Sequence, residues 1–419
     1  MRAAVCFALS GLLSPAFAEP DVSGRMAIAV DKEGFSQAYL LLEPAYKHRF
    51  TDALSFEGSL RFEGAGKATG LGGTSNFSRL SDPFPSDEDD VRAEIGEAFF
   101  RIETDNLTFD LGKQAIAWGS LDGIRVTDQF TPVRLTEGLA RHPRPDRIPI
   151  WAARLRTRTF GFDVDLAFSP DPTVNQIPQV GDRFFPNAAR FLGGFSGEEP
   201  FPPLRRDDRD QLIEDSSAGI RVGRTVAGTD IRWTMLTGPD HDGTLALSHD
   251  GGSVELRHER RTLIGAEFVR PMGPAVLRAA LSYSPDRRFN IRSEQPLDDA
   301  ERKQWLGGVG VDAYAPFDFF SSSQLLFDHV AGDDNLVRPS TDVLATSSVR
   351  KRWSDDRWGF RGEILQSLTD GDGLATAELA YRVADRFDVT IGGDLFYGTG
   401  DGIFGQYERQ SRVVLGLRL

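Results

Sequence analysis

Hydrophobic and polar side chains alternate along much of this chain, most clearly in its C-terminal third. In residues 387–397, apolar side chains such as Ile391 alternate with polar ones such as Asp394, and residues 374–383 and 54–64 repeat the pattern. A period of two gives a β-strand one apolar and one polar face. The pattern therefore predicts an all-β protein whose strands are each apolar on one side.

The same pattern predicts eighteen strands, many of them 9 to 12 residues long. Strands of this length cross a bilayer at the usual barrel tilt, whereas strands of soluble proteins are typically about 5 or 6 residues long. A soluble β-sandwich would also alternate, so length favours a membrane barrel without excluding the sandwich. The predicted strands are 23–31, 36–47, 54–64, 92–103, 107–117, 151–159, 161–169, 216–224, 229–237, 253–270, 274–284, 303–313, 321–330, 343–353, 357–368, 374–383, 387–397 and 408–419.

The connections between these strands alternate in length along the chain. Those after even-numbered strands are short, as at residues 104–106 and 354–356, and those after odd-numbered strands are mostly long, as at 118–150 and 170–215. Outer-membrane barrels have short periplasmic turns and long extracellular loops. The sequence thus predicts a transmembrane antiparallel β-barrel of 16 to 18 strands.

The first 18 residues have the pattern of a cleaved signal peptide. A basic start is followed by a small, apolar stretch and by Ala16-Phe17-Ala18, a typical cleavage site. We expect residues 1–18 to be removed and residues 19–419 to form a single barrel domain in the outer membrane of a Gram-negative bacterium.

Composition excludes several classes of protein. The formal net charge of −14 argues against a nucleic-acid surface. Cys6 is the only cysteine, so a disulfide scaffold or a thiolate metal site is excluded. The mean hydropathy is −0.31, and no apolar run beyond the signal approaches the 18 residues of a membrane helix.

One segment carries a recognisable motif at the end of the fifth predicted strand. It contains, in order, Gly112, Gln114, Trp118, Gly119, Asp122, Asp128 and Pro132. This resembles the G-x-Q-x-x-x-W-G-x-x-D signature of a proteobacterial family of outer-membrane barrels without assigned function, similar to porin-like and alginate-export-like barrels. The resemblance implies a transport or envelope role, and general porins fold the loop after their fifth strand into the lumen.

Two interpretations of the loop at residues 118–150 stay open. In the first, the loop folds inward and narrows the pore; in the second, it caps the barrel from outside and its tryptophan is an interfacial residue. If the loop folds inward, the residues predicted at the constriction are Trp118, Gly119, Asp122, Arg125 and Asp128.

Arginine is far more frequent than lysine, 42 against 6. Alternation places many charged side chains toward a lumen, where guanidinium groups would attract anions. Equally, opposed carboxylates would turn the same rows into a structural ladder of ion pairs. The predicted channel-lining residues are Arg154, Arg156, Arg158, Asp163, Asp165, Arg101, Asp110 and Gln114.

We found no pattern of catalytic or metal-ligating residues, and we expect no enzyme activity and no cofactor. The favoured function is a porin-like channel for passive passage of small anionic or polar solutes. The alternatives are a conduit that exports lipid or hydrophobic compounds with a periplasmic partner, and a structural or adhesive barrel with a filled lumen. Expected partners are outer-membrane lipid and lipopolysaccharide, the barrel assembly machinery and the solutes; nucleic acid is not expected.

Overall fold

The structure, a computed structural model, describes residues 21–32, 34–65, 91–121, 125–135, 146–178, 180–195, 201–206, 213–249, 251–332 and 335–419. The predicted signal peptide, residues 1–18, and Asp122 lie outside the described residues. Within the described part of the chain, no helix is long and apolar enough to cross a membrane.

The described residues form twenty-one strands, which we number in chain order. They are β1 (Asp21–Asp31), β2 (Gly34–Arg49), β3 (Leu54–Ala65), β4 (Val91–Glu103), β5 (Leu107–Gln114), β6 (Ile150–Thr159), β7 (Phe162–Ser169), β8 (Leu204–Arg206), β9 (Ser217–Val226), β10 (Thr229–Pro239), β11 (Thr244–Leu247), β12 (Val254–Arg257), β13 (Arg260–Met272), β14 (Ala275–Asn290), β15 (Asp299–Ala315), β16 (Phe319–Ala331), β17 (Thr341–Trp353), β18 (Trp358–Ser367), β19 (Gly373–Ala384), β20 (Phe387–Tyr397) and β21 (Arg412–Arg418).

Eighteen of these strands form one antiparallel sheet, and each barrel strand pairs with the barrel strands before and after it in the chain. The sheet closes because β1 pairs with β2 on one side and with β21 on the other. Closure leaves no unpaired edge, which a membrane-spanning sheet requires. The predicted antiparallel barrel is confirmed, at the upper limit of the predicted strand number.

Side chains alternate between the outer and inner surfaces of the wall. On β18, Ile364 is 49 % exposed, whereas its neighbours Glu363 and Leu365 are buried inside. Outward side chains such as Ile391 and Leu395 on β20 are similarly large, apolar and exposed. The outer surface is therefore apolar, and the charged side chains of the strands are directed mainly into the lumen.

The two ends of the barrel differ in their connections. At one end the turns are tight; Phe160 and Gly161 join β6 to β7 with positive φ angles of 50° and 76°. Two such residues give a hairpin turn whose twist matches that of the strands. At the other end lie the connections after β5, β7 and β10. We call these ends the short-turn end and the long-loop end.

Strands β8, β11 and β12 form a small separate sheet within the long loops, in which β12 pairs antiparallel with β11 and parallel with β8. The segment 253–270, predicted as one strand, is divided into β12 and β13. The division lies at His258 and Glu259, which pair with Asp240 at the opposite end of the same β10–β13 connection. The Asp240 backbone N–H donates to the Glu259 carbonyl, and the Asp240 carbonyl accepts from His258 Nδ1 at 2.8 Å.

Candidate functional site

Trp118 is fully buried inside the barrel, 0 % exposed. Its indole Nε1 donates to Asp165 Oδ2 on β7 at 2.8 Å, and its backbone N–H donates to Asp128 Oδ1 at 2.7 Å. The indole packs on Phe130, with ring centroids 5.3 Å apart. Gly219 on β9 makes room for it, since a β-carbon there would lie 2.6 Å from the ring. The segment after β5 therefore enters the lumen and docks on the wall at β7 and β9.

Asp128 joins the two sides of this loop. It accepts hydrogen bonds from the backbone of Trp118 and from Arg147, and its Oδ2 lies 3.7 Å from Arg125 Nε. Gly119 packs against it, because a β-carbon on Gly119 would lie 2.7 Å from that of Asp128. Four of the five residues predicted at a constriction thus lie together inside the barrel, and the fifth is outside the described residues.

The same loop reaches a second part of the wall, at β13 and β14. Glu267 Oε1 accepts from the backbone N–H of Ser120 at 2.8 Å and from Thr127 Oγ1 at 2.6 Å. Arg278 on β14 donates to the carbonyl oxygen of Ser120 at 2.8 Å. Glu267 is 1 % exposed, so these bonds lie in a dry environment in which they are costly to leave unmade. The loop consequently spans part of the lumen between two fixed attachment points.

Apolar side chains fill the lumen near the long-loop end. Seven come from the inner faces of seven consecutive strands, β14 to β20, and three from the inserted loops. All are buried, and Leu121, Ile403 and Tyr407 pack around them. We call this cluster the luminal core; it consists of Val126, Phe184, Ala280, Leu306, Leu326, Leu344, Leu365, Leu374, Phe396 and Phe404.

The connection after β7 is also held inside the barrel. Arg190 donates to Asp342 on β17 at 2.5 Å and to Asp370 at 2.7 Å, and its side chain is 8 % exposed. Arg183 forms an ion pair with Asp31 at the end of β1. Removing one partner of such a buried pair is strongly destabilising, because the other charge is left unpaired. The ion pairs therefore fix this loop against distant strands.

Asp240 begins the connection after β10 and is buried beside two arginines. Arg287 donates to both carboxylate oxygens, at 2.6 and 3.3 Å, and Arg261 Nε lies 3.5 Å from Oδ1. Burial alone would raise the pKa of the Asp240 carboxyl group, but the two guanidinium groups outweigh burial and hold the pKa below its ordinary value.

His241 links that connection to the tryptophan loop. Its Nε2 donates to the backbone carbonyl of Phe130 at 3.2 Å. Burial, followed by the positive charges of Arg125 and Arg261, lowers the pKa of His241 to about 3. The imidazole is therefore neutral at pH 7 in the folded protein.

Three of the predicted lining arginines are paired along the wall from β4 to β7. Arg101 and Arg156 both donate to Asp110, at 2.7 and 2.8 Å, and Arg154 donates to Asp165 through two nitrogens, at 2.9 and 2.6 Å. Asp110 is 1 % exposed. Each carboxylate thus meets at least one guanidinium group, and the row forms a ladder of opposite charges.

The remaining predicted lining residues lie at both ends of this ladder. Gln114 is buried and donates to the carbonyl oxygen of Ala152 at 3.1 Å. Arg158 and Asp163 are at the short-turn end, 3.5 Å apart and with side chains 74 % and 68 % exposed. They line a cavity of about 350 Å³ together with Arg156 and Asp165.

A larger cavity of about 720 Å³ occupies the short-turn half of the lumen, between β1 and strands β15 to β21. Nine basic and six acidic side chains line it, although the whole chain has a net charge of −14. The ion pairs along its wall include Arg382 with Asp388, Arg412 with Asp394 and Arg418 with Glu378. The charged lining consists of Arg25, Arg350, Lys351, Arg352, Arg357, Arg361, Arg382, Arg412, Arg418, Asp318, Asp356, Glu363, Glu378, Asp388 and Asp394.

Comparison with known proteins bears on the fold. No family model and no curated protein matches this sequence. Among solved structures, OccAB1 of Acinetobacter baumannii aligns with a TM-score of 0.50 and 9 % identity over 96 % of this chain and 95 % of that one. OmpF of Salmonella typhi, in complex with daunomycin, aligns with a TM-score of 0.41 and 9 % identity over 95 % of this chain and 96 % of that one. A mutant Rh. blastica porin aligns with a TM-score of 0.40 and 12 % identity over 96 % of this chain and 99 % of that one.

At such low identity, the likeness to OccAB1 shows the fold alone, that of a porin-type barrel. The match supports the general part of the resemblance found in the sequence. The particular family with the tryptophan-glycine signature is not confirmed. Among the described residues, no group of three or more metal-ligating side chains is arranged to hold an ion.

Sequence reasoning missed Arg350 and Arg361. They lie directly opposite each other on β17 and β18, and both line the larger cavity. A signal was available, because both strands were predicted and the tight turn between them fixes the register. The arginine row at 154, 156 and 158 was more conspicuous, since its three members are close in sequence.

Proposed function

We propose that the chain is an outer-membrane channel for the passive passage of small anionic solutes. The observation that carries the proposal is the larger cavity, in which nine basic side chains outnumber six acidic ones inside a chain of net negative charge. A lumen lined by excess positive charge raises the local concentration of anions.

The outer surface supports placement in a membrane. Exposed apolar side chains cover the wall, and aromatic residues gather at the short-turn end, where Trp353 stacks on Trp358 with centroids 6.3 Å apart and Trp358 contacts Tyr381. Aromatic rings of this kind favour the boundary between lipid and water. The Gram-negative outer membrane, with its lipopolysaccharide and its barrel assembly machinery, is the location we propose.

The inserted loop supplies the selective part of this channel. Trp118 and Asp128 hold the loop on the wall, and Arg125 lies beside Asp128. We assign the constriction to this region, and we assign the lining of the passage on the β6–β7 side to Arg158 and Asp163, which border the smaller cavity. Together with the luminal core, the loop makes the channel narrow, so a substrate-selective pore is favoured over a wide general one.

Reconstitution of residues 19–419 into a planar bilayer with a salt gradient tests the proposal. We expect discrete openings and a reversal potential whose sign indicates that chloride is more permeant than potassium. A cation-selective reversal potential would contradict the assignment of the cavity.

The luminal core favours a second candidate, a structural barrel with a filled lumen. Ten buried apolar side chains are packed where an open pore would have water. Folded, heat-modifiable protein that gives no openings in the same bilayer would support this candidate. Adhesion through residues 170–215 has less support, since Phe184 and Arg190 of that loop are docked inside the barrel.

A further inference from the structure

Arg350 and Arg361 stand out among the charged side chains of the larger cavity. They are cross-strand partners on neighbouring strands, and both side chains are exposed to the cavity. Like charges directly opposite on a sheet destabilise it. Among the described residues, neither arginine forms an ion pair, whereas Arg382 and Arg418 on the adjoining wall are paired.

Two aromatic side chains lie beside this pair. Arg350 is placed over the ring of Phe320 on β16, with its guanidinium carbon 4.2 Å from the centroid. Tyr314 on β15 packs edge-on against Phe320, with centroids 5.6 Å apart. Both rings line the cavity, and Tyr314 is 70 % exposed although it faces the lumen and not lipid. Exposed aromatic surface within an aqueous cavity is characteristic of a ligand site.

We propose that these four side chains form a binding site for an aromatic monocarboxylate. The carboxylate is held by the guanidinium groups of Arg350 and Arg361, which offer parallel N–H donors suited to its two oxygens. The ring of the solute packs against Tyr314 and Phe320. Binding removes the repulsion between the two arginines, because one negative charge is placed between them. This inference deepens the proposed function by naming its substrate class.

The aromatic pair distinguishes this ligand from a simple anion. Phosphate or acetate would satisfy the arginines but leave Tyr314 and Phe320 exposed to water. A neutral aromatic compound would cover the rings but leave the arginine pair uncompensated. Only a solute with both groups uses the whole site.

Isothermal titration of the full mature chain in detergent with benzoate tests the inference. We expect benzoate to bind at least about tenfold more tightly than acetate, phosphate or benzyl alcohol. Equal affinities for benzoate and acetate would overturn the proposal, and so would equal affinities for benzoate and benzyl alcohol.

Two sets of variants locate the site. The double variant Arg350→Gln, Arg361→Gln should weaken benzoate binding by about tenfold or more, whereas Arg257→Gln with Arg302→Gln, an equal loss of charge at the long-loop end, should leave the affinity within about twofold. Tyr314→Leu with Phe320→Leu keeps apolar surface but should abolish the preference for benzoate over cyclohexanecarboxylate. Unchanged benzoate affinity in the arginine double variant would contradict the assignment. Heat-modifiable migration on gels checks that each variant is folded.

The titration does not depend on conductance. A barrel that shows no openings in the bilayer but binds benzoate would contradict the proposed channel and support the proposed binding site. A conducting, anion-selective barrel that binds benzoate no more tightly than acetate would support the proposed channel and contradict the proposed binding site.

Discussion

The long-loop half and the short-turn half of the lumen are enclosed by the same strands but filled differently. Near the long-loop end, Leu344 and Leu365 belong to a packed apolar core. Farther along the same two strands and on the same face, Arg350 and Arg361 line an open, positively charged cavity. The change from leucine to arginine occurs within six residues on β17 and four on β18.

This difference shows that inward-facing positions in a porin-type barrel have two physical tasks. Where loops are inserted, the wall must offer apolar surface and buried ion-pair partners, as Asp342 does for Arg190. Where no described loop is inserted, the wall is solvated and can keep charges without partners. Alternation specifies which residues face inward, but the loops determine what those residues meet.

The largest effect is expected from a substitution in the long-loop half of the lumen, which loops and apolar side chains fill. Trp118→Ala removes a fully buried indole, its hydrogen bond to Asp165 and its packing on Phe130. We expect the free energy of unfolding in urea, measured on protein in lipid vesicles, to fall by about 3–5 kcal/mol, and the single-channel conductance to rise. Trp353→Ala at the outer rim is the control; it loses the stack on Trp358, so it should lower the free energy of unfolding by less than Trp118→Ala and leave the conductance unchanged. Unchanged conductance in Trp118→Ala would mean that this loop does not limit the pore.

Acidification should weaken the same half. The pKa of His241 is about 3 in the folded protein against an ordinary 6.5, so only the unfolded state takes up a proton as the pH falls from 6.5 toward 3. The free energy of unfolding therefore keeps its full value above pH 6.5 and falls on acidification, by about 2–3 kcal/mol at pH 4.5.

Urea unfolding at pH 7.5 and pH 4.5 checks this loss. His241→Gln retains a nitrogen donor but does not titrate, and it should remove most of the pH dependence. His329→Gln, a change at a histidine bonded to Thr341 on β17, should retain it. Identical acid sensitivity in wild type and His241→Gln would contradict the assignment.

The smallest effect is expected at the charge ladder. Replacing the pair Arg154→Gln, Asp165→Asn leaves the net charge of the lumen unchanged, so the reversal potential in a salt gradient should stay within a few millivolts of the wild type. The double variant Arg350→Gln, Arg361→Gln removes two unpaired positive charges and should shift the potential toward cation selectivity. The reverse order of effects would place the anion preference on the ladder.

Much of the wall could be predicted from the sequence, because strand alternation is a local property. All eighteen barrel strands were predicted. In the small loop sheet β8 and β11 were missed, because strands of three and four residues show no alternation, and so was the boundary between β12 and β13, where Glu259 bonds Asp240 across the base of their connection. The course of the loops could not be predicted in this way. Phe184 and Arg190 find their partners on β17 and β20, more than 150 residues away, and no local pattern indicates such contacts.

Cysteine accessibility tests the contrast between the two halves most directly, because residues 19–419 contain no cysteine. Ala280→Cys lies in the luminal core and Ala380→Cys lines the open cavity, so the two variants carry the same substitution on the same inner surface. With a membrane-impermeant anionic thiol reagent, we expect Ala380→Cys to react at least about a hundredfold faster than Ala280→Cys in the folded barrel, and both to react equally in urea. Equal rates in the folded protein would contradict the division of the lumen into a filled and an open half.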